Sequence, residues 1–270
     1  MGLAVVIISH KRAGRVTTHK FIEGALLCVA ESQADEYAKH HDRSTIVTHP
    51  DSVVGCPSKR QWVLERWTRE GDLFMMDDDV AGFFRLWRPT RSLLPAVVSP
   101  ARARKIVERT CQTAAAFGAY LFGFGSHAHP LAYRGSKPLG FSGYTPSGAV
   151  GIRQGHKLFW PTDTNLPISD HWICLLNAYY HRFAFYDKRF AFYDKRFAFG
   201  FHTTWAGQGG MAEYRHAKAE QEGTQYLQRA FGDAIEQIVG RSWGGGGGTT
   251  GTVGGNTVRL RRRMNIPWSG

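Results

Sequence analysis

Apolar residues along this 270-residue chain come in short bursts separated by polar turns. Leu3–Ile8 is a β-branched run with the length of a buried strand. Ala25–Val29, Ser44–Thr48 and Leu73–Met76 repeat the signal, and helical patterns lie between them. Thr17–Glu23 reads as a short helix. Ser32 with Asp35, and Ser58 with Gln61, have the spacing of helix-opening capping boxes. Trp62, Val63 and Trp67 recur at helical spacing behind the second. Ser99-Pro100 opens a longer helix with Ile106, Val107, Cys111, Ala114 and Phe117 on one face. Strands alternating with helices predict an α/β fold whose mostly parallel central sheet is covered by helices.

The second half is less regular. Tyr120–Phe124 and Ala149–Arg153 read as strands around a Gly/Pro/Ser loop at 135–148. Ser169 opens a helix with Ile173, Leu176, Asn177 and Tyr180 on one face, and Ala212–Phe231 is a further helical stretch. The segment RFAFYDK at 182–188 repeats at 189–195, and RFAF begins a third copy at 196–199. Side chains alternate faces along a strand, so a period of seven flips the phenylalanines in each copy. Either both faces are covered or the chain bulges between copies. Eight glycines between Trp243 and Asn256 predict a flexible linker, followed by the basic stretch Arg259–Arg263. The expected organisation is one domain over 1–240, divided near 118 into two halves, then a linker at 241–256 and a basic tail at 257–270.

Composition narrows the class. With 43% hydrophobic residues the chain can bury a core. Its longest apolar run is far shorter than the ~20 residues of a membrane span, and no signal-peptide pattern precedes it. Four dispersed cysteines suit reduced thiols in a cytoplasmic protein. The formal charge of +12 points to a polyanionic partner without identifying it. Seven Lys/Arg against one acid lie between Arg85 and Arg109, and Trp87, Trp243 and Trp268 offer stacking surfaces near basic residues.

The residues with chemistry stand at strand ends. Asp77-Asp78-Asp79 follows the apolar strand Leu73–Met76. Adjacent carboxylates repel unless a cation lies between them, and ligands of open α/β sheets bind at that edge. Ser9, His10 and Arg12 follow the first strand, where a nucleotide would contact them. Lys59 and Arg60 sit on the helix before the triplet. Asp170 opens a later helix, where the helix dipole favours a carboxylate. His202 follows the last RFAF copy.

This order of residues resembles the GT-A glycosyltransferases, and within them the TET/JBP-associated glycosyltransferases of phages. The resemblance rests on Lys59 and Arg60, on Phe74–Val80 with its acidic triplet, on Asp170 and on His202, within residues 3–232. It implies a GT-A, Rossmann-like fold and a nucleotide-diphosphate-sugar donor such as UDP-glucose. It implies Mn²⁺ or Mg²⁺ held by Asp77, Asp79 and His202, with Asp77 and Asp78 also at the donor. Asp170 would be the catalytic base or would position the acceptor. The implied acceptor is a hydroxymethylated pyrimidine in phage DNA, in the host cytoplasm. The alternatives are a protein, lipid or polysaccharide acceptor, a metal-dependent nuclease, or a non-catalytic DNA-binding module; no helix-turn-helix, zinc-finger or RRM signature supports the last. Sugar identity, stereochemical outcome and oligomeric state stay open.

Overall fold

The computed structural model describes residues 2–86, 96–125, 137–141, 145, 148–194, 216–241, 249–253 and 256–265. The first strands are β1 (Leu3–Ile8), β2 (Leu26–Ala30), β3 (Ile46–His49), β4 (Asp72–Asp77) and β5 (Val80–Arg85). They are followed by β6 (Ala96–Val97), β7 (Leu121–Gly125), β8 (Leu139–Gly140), β9 (Ala149–Ile152) and β10 (Phe185–Asp194). Among the described residues these ten strands form one sheet, ordered β3-β2-β1-β4-β9-β7-β10-β5-β6, with β8 paired to β10. β9, β5 and β8 run against the other seven. This is the mostly parallel, helix-flanked arrangement that the pattern predicted, and it is consistent with the GT-A fold that the resemblance implied.

Alternate residues of the central strands feed two cores, as the two-residue period of a strand requires. Val5, Ile7, Phe74 and Met76 join one cluster with Ala103, Val107 and Ala114 of α3 (Pro100–Ala116). Val6, Leu73 and Met75 join the other, with Val63 and Leu64 of α2 (Cys56–Trp67) and Trp172 and Ile173 of α4 (Ser169–His181). Both sheet faces are therefore dry, which is why the strands read as continuous apolar runs. Phe117, expected on the buried face of α3, caps that helix and is 50% exposed. Tyr180, expected on the inner face of α4, is also exposed.

Both predicted capping boxes are corrected. Ser32 lies in a 3-10 turn, and its hydroxyl donates to Asp51 instead (2.6 Å). The following helix, α1, is only Ala34–Ala38. α2 starts at Cys56, two residues before Ser58, because Gly55 turns the chain at φ +89° and Pro57 presets the first turn. Gln61 then accepts from the Trp160 amide and donates to Glu65. Thr17–Glu23 contains a 3-10 turn, Thr18–Lys20, in place of the expected helix.

The repeat is carried by β10, which bulges. Asp187 pairs with Phe124 of β7, and the next paired residue is Ala191, opposite Gly125. Three residues are looped out, and that odd number cancels the odd period. Phe183, Phe185 and Phe190 consequently all reach the first core. The third copy lies outside the described residues.

The glycine-rich segment expected as a linker contains a strand, β12 (Thr249–Val253), and the basic tail forms β13 (Asn256–Met264). With β11 (Ile235–Arg241) they make a separate antiparallel sheet with β13 in the middle. Ile235 and Met264 join the second core beside Leu227 of α5 (Ala217–Phe231). Long alternating stretches of Thr, Val and Arg pair readily once a hairpin brings them together, a preference the glycine count obscured. The four cysteines are free, and among the described residues no helix is long and apolar enough to cross a membrane.

Candidate active site

The acidic triplet marks the end of the innermost strand. β4 lies beside β1 with Ile8 opposite Asp77, so the residues after both strands meet at one sheet edge. Asp78 and Asp79 form the turn to β5, and two threonines clamp it. Thr18 Oγ1 donates to the Asp77 carbonyl (2.6 Å) and accepts from the Val80 amide (3.0 Å). Thr17 Oγ1 donates to the Val80 carbonyl (2.8 Å), and its amide donates to the Asp78 carbonyl (2.9 Å). The apolar pattern gave no sign of these two residues, because their task is to bind backbone.

The three carboxylates point to different partners. Asp78 is buried and accepts from Ser9 Oγ (2.5 Å) and from Arg12 Nη1 (2.9 Å). Because the Ser9 proton goes to Asp78, Tyr37 O–H donates to Ser9 (2.6 Å), while the Arg12 amide donates to Tyr37 (3.0 Å). Burial raises the Asp78 carboxyl above its ordinary value, with Arg12 and Ser9 opposing the rise and Asp77 adding to it. Asp79 accepts from the same Arg12 Nη1 (3.4 Å), and Asp77 takes Arg60 Nη2 (2.5 Å). Tyr37 is a site residue that sequence reasoning missed, since its link to Ser9 spans 28 positions.

The expected basic residues arrive by two routes. Ser9 and Arg12 are aimed by the loop after β1, where Lys11 adopts φ +54°, a left-handed turn that costs a non-glycine residue energy. His10 contacts Gln33 (3.0 Å). Arg60 rises from α2, held by Cys56 Sγ (3.3 Å) and Met75 Sδ (3.6 Å) as well as Asp77. Burial works against its charge, but Asp77, Cys56 and Asp170 outweigh that and raise its pKa above the ordinary value. Lys59, on the neighbouring position, is only 6% exposed. Burial lowers its pKa from the ordinary value, while Asp78 is near enough to act in the opposite sense.

Asp170 belongs to the same place. It lies in the first turn of α4, and Ser169 beside it reaches Cys56 at the first turn of α2 (3.8 Å). Two helix N-termini thus converge at the sheet edge, and Asp170 lies within electrostatic range of Arg60. Beside the start of α2, Ser52, Ser58, Thr162, Thr164 and Asn165 line a cavity of about 320 Å³, offering hydroxyls and an amide to a polar ligand. His202, Trp87, Trp243 and Trp268 lie outside the described residues.

The donor set suits a hard cation. Asp77 and Asp79 present carboxylate oxygens on one turn, and among the described residues no third His, Cys, Asp or Glu joins them in a cage. Such a pair could hold Mg²⁺ only with substrate phosphates completing its shell. The arrangement can therefore gather a diphosphate among Arg12, Lys59 and Arg60 and still leave an ionisable carboxylate, Asp170, nearby.

A protein-family model described as TET-Associated Glycosyltransferase matches residues 3–196, which include the whole of this site. No curated protein matches the chain.

Proposed function

The chain belongs to the TET-associated glycosyltransferase family and is a glycosyltransferase; from that premise we propose that it moves a sugar from a UDP-sugar, such as UDP-glucose, to a hydroxymethylated pyrimidine in DNA. The observation that carries the donor half is the convergence of Arg12, Lys59 and Arg60 on the acidic turn after β4. The +12 charge supports the acceptor half.

In this reading the anomeric carbon–oxygen bond to the diphosphate breaks, and a bond from that carbon to the acceptor hydroxyl oxygen forms. Negative charge grows on the leaving diphosphate. Arg60, fixed by Asp77 and Met75, meets that charge with a guanidinium whose orientation is already set. Lys59 adds a compact ammonium at the end of a buried stem, and Arg12 completes the set from the loop after β1. Mn²⁺ or Mg²⁺, with Asp77 and Asp79 as its protein ligands and His202 as the further one expected, would neutralise phosphate charge as a Lewis acid when bound. Asp170 acts on the acceptor: in an inverting transfer it receives the hydroxyl proton. Asp78 does not touch substrate; it holds Ser9 and Arg12 in place.

The test is incorporation of labelled sugar from UDP-glucose into duplex DNA containing hydroxymethylcytosine, with Mn²⁺ present. The reading expects label in the modified DNA only, a loss of about a hundredfold or more in Arg60→Ala, and loss in Asp79→Ala and with EDTA. Equal incorporation by Asp79→Ala and the parent would sink the donor site. Equal labelling of unmodified DNA would sink the acceptor.

A further inference from the structure

The edge of the sheet opposite the acidic turn carries a second set of side chains that the transfer reaction leaves unused. Tyr120 precedes β7 and Arg153 follows the antiparallel β9, so both stand where β4 begins; Leu73 and Leu121 both pair with Ile152 there. β4 is six residues long, which puts this edge roughly 15–20 Å from Asp78. The C-terminus of α4 ends beside it.

These residues form a connected aromatic and cationic cluster. Tyr120 stacks against His181 with centroids 4.3 Å apart. The Arg153 guanidinium lies 5.6 Å from the Tyr120 ring, and Lys157 lies 6.0 Å from the Tyr180 ring. Tyr179 and Tyr180 meet edge to face at 4.9 Å. His181 Nε2 accepts from the Lys157 amide (3.1 Å), which fixes the ring. Tyr179 is 68% exposed and Tyr180 42% exposed, although burying such rings is normally favourable. No acid pairs with Arg153 or Lys157 among the salt bridges of the described residues.

We propose that this cluster is a second nucleic-acid-contacting surface, on which unpaired bases of the DNA acceptor stack against Tyr179 and Tyr180 while Arg153 and Lys157 meet the adjoining phosphates. The inference rests on the DNA-acceptor reading and deepens it. Exposed aromatic faces interleaved with cations are the means by which proteins hold single strands without reading sequence. A protein carrying +12 has a polyanion as its natural occupant. Enzymes that do chemistry on a base act on single-stranded DNA or extrude the base from the duplex, so unpaired bases accompany the reaction. A surface distant from the transfer site can hold that strand without obstructing the donor.

The experiment measures binding of a fluorescent, unmodified single-stranded DNA of about 20 nucleotides to the full chain, and sugar transfer by the same preparations. Tyr179→Ala/Tyr180→Ala should weaken binding about tenfold or more, and the conservative Tyr179→Phe/Tyr180→Phe should retain it. Lys157→Ala should lower the slope of log affinity against log salt by about one unit or less. Transfer to free hydroxymethyl-deoxycytidine should be the same in all of these variants, and their melting temperatures should match the parent. A parent that transfers to modified DNA while the Ala variant binds as tightly as the parent overturns this inference alone. A parent that neither binds nor glycosylates DNA overturns both it and the acceptor reading. Tenfold tighter binding of RNA of the same sequence assigns the surface to RNA and overturns it too.

Discussion

At the scale of single residues, the site depends on a buried carboxylate paired to a partly exposed arginine. Removing one partner of such a pair strands the other charge, at a cost of about 3–5 kcal/mol. Arg12→Ala should therefore lose stability of that order at pH 7 by urea unfolding. Asp78 titrates above its ordinary value because it is buried, so its contribution to stability is complete below the unfolded pKa of 3.8 and declines as pH rises through the folded one. The gap between Arg12→Ala and the parent should accordingly narrow as pH falls toward the unfolded value, since a protonated Asp78 needs no counter-ion. Lys59→Met keeps the buried stem and removes the ammonium; the expected result is a raised KM for the donor with folding intact. The triplet, Arg12, Lys59, Arg60 and Asp170 were legible because charged residues stood at the ends of apolar runs. Their division of labour was not. The sequence suggests a donor contact for Asp78; the fold buries it against Ser9 and Arg12, with Tyr37 bonded to Ser9. Thr17, Thr18 and Tyr37 could not have been found from local pattern, since each acts on groups 25 to 63 positions away.

At the scale of elements, most strands of the large sheet were legible, β5 being the longest one missed, and so was the Ser99-Pro100 start of α3, but the two capping boxes were not. A buried strand shows itself by uninterrupted apolar residues, whereas Ser-x-x-Asp and Ser-x-x-Gln spacings also serve other contacts, as Ser32 and Ser58 do. The start of α2 is set by Gly55. A Cβ there would lie 1.6 Å from Asn165 Oδ1, at a φ that side chains avoid. Gly55→Ala should move α2 and with it Lys59 and Arg60, lowering both the melting temperature and the transfer rate. Gly55→Ala/Asn165→Ala relieves the clash and leaves the backbone strain, so it should recover part of the melting temperature and no more.

At the scale of the whole molecule, the net charge was legible and its placement was not. The expected linker and tail pair into their own sheet, and the aromatic-cationic cluster brings together Tyr120, Arg153, Lys157 and the end of α4 from four places in the chain. The same edge holds a pH-sensitive group. Burial, and secondarily His181, lowers the pKa of His156 to about 4, so it is neutral when folded and charges on unfolding below 6.5. A depressed pKa contributes stability above the unfolded value, and that contribution is lost as pH falls through the folded one. Unfolding followed between pH 7 and pH 4 should show stability dropping from about 6.5 downward, and His156→Gln should flatten the profile. The looped-out residues of β10 carry one last consequence. The segment now opposite β7 begins with the same RFAFYDK that recurs seven residues later, and the RFAF now opposite β5 recurs seven residues later as well. Sliding the chain by one copy would present the same residues to β7 and the same Phe-Ala-Phe to β5, but Gly200 and Phe201 would stand where Tyr193 and Asp194 now pair with Gly82 and Val80. The two threadings thus differ in the last two residues opposite β5 as well as in the slack before and after the strand, and the fold's uniqueness here rests on both.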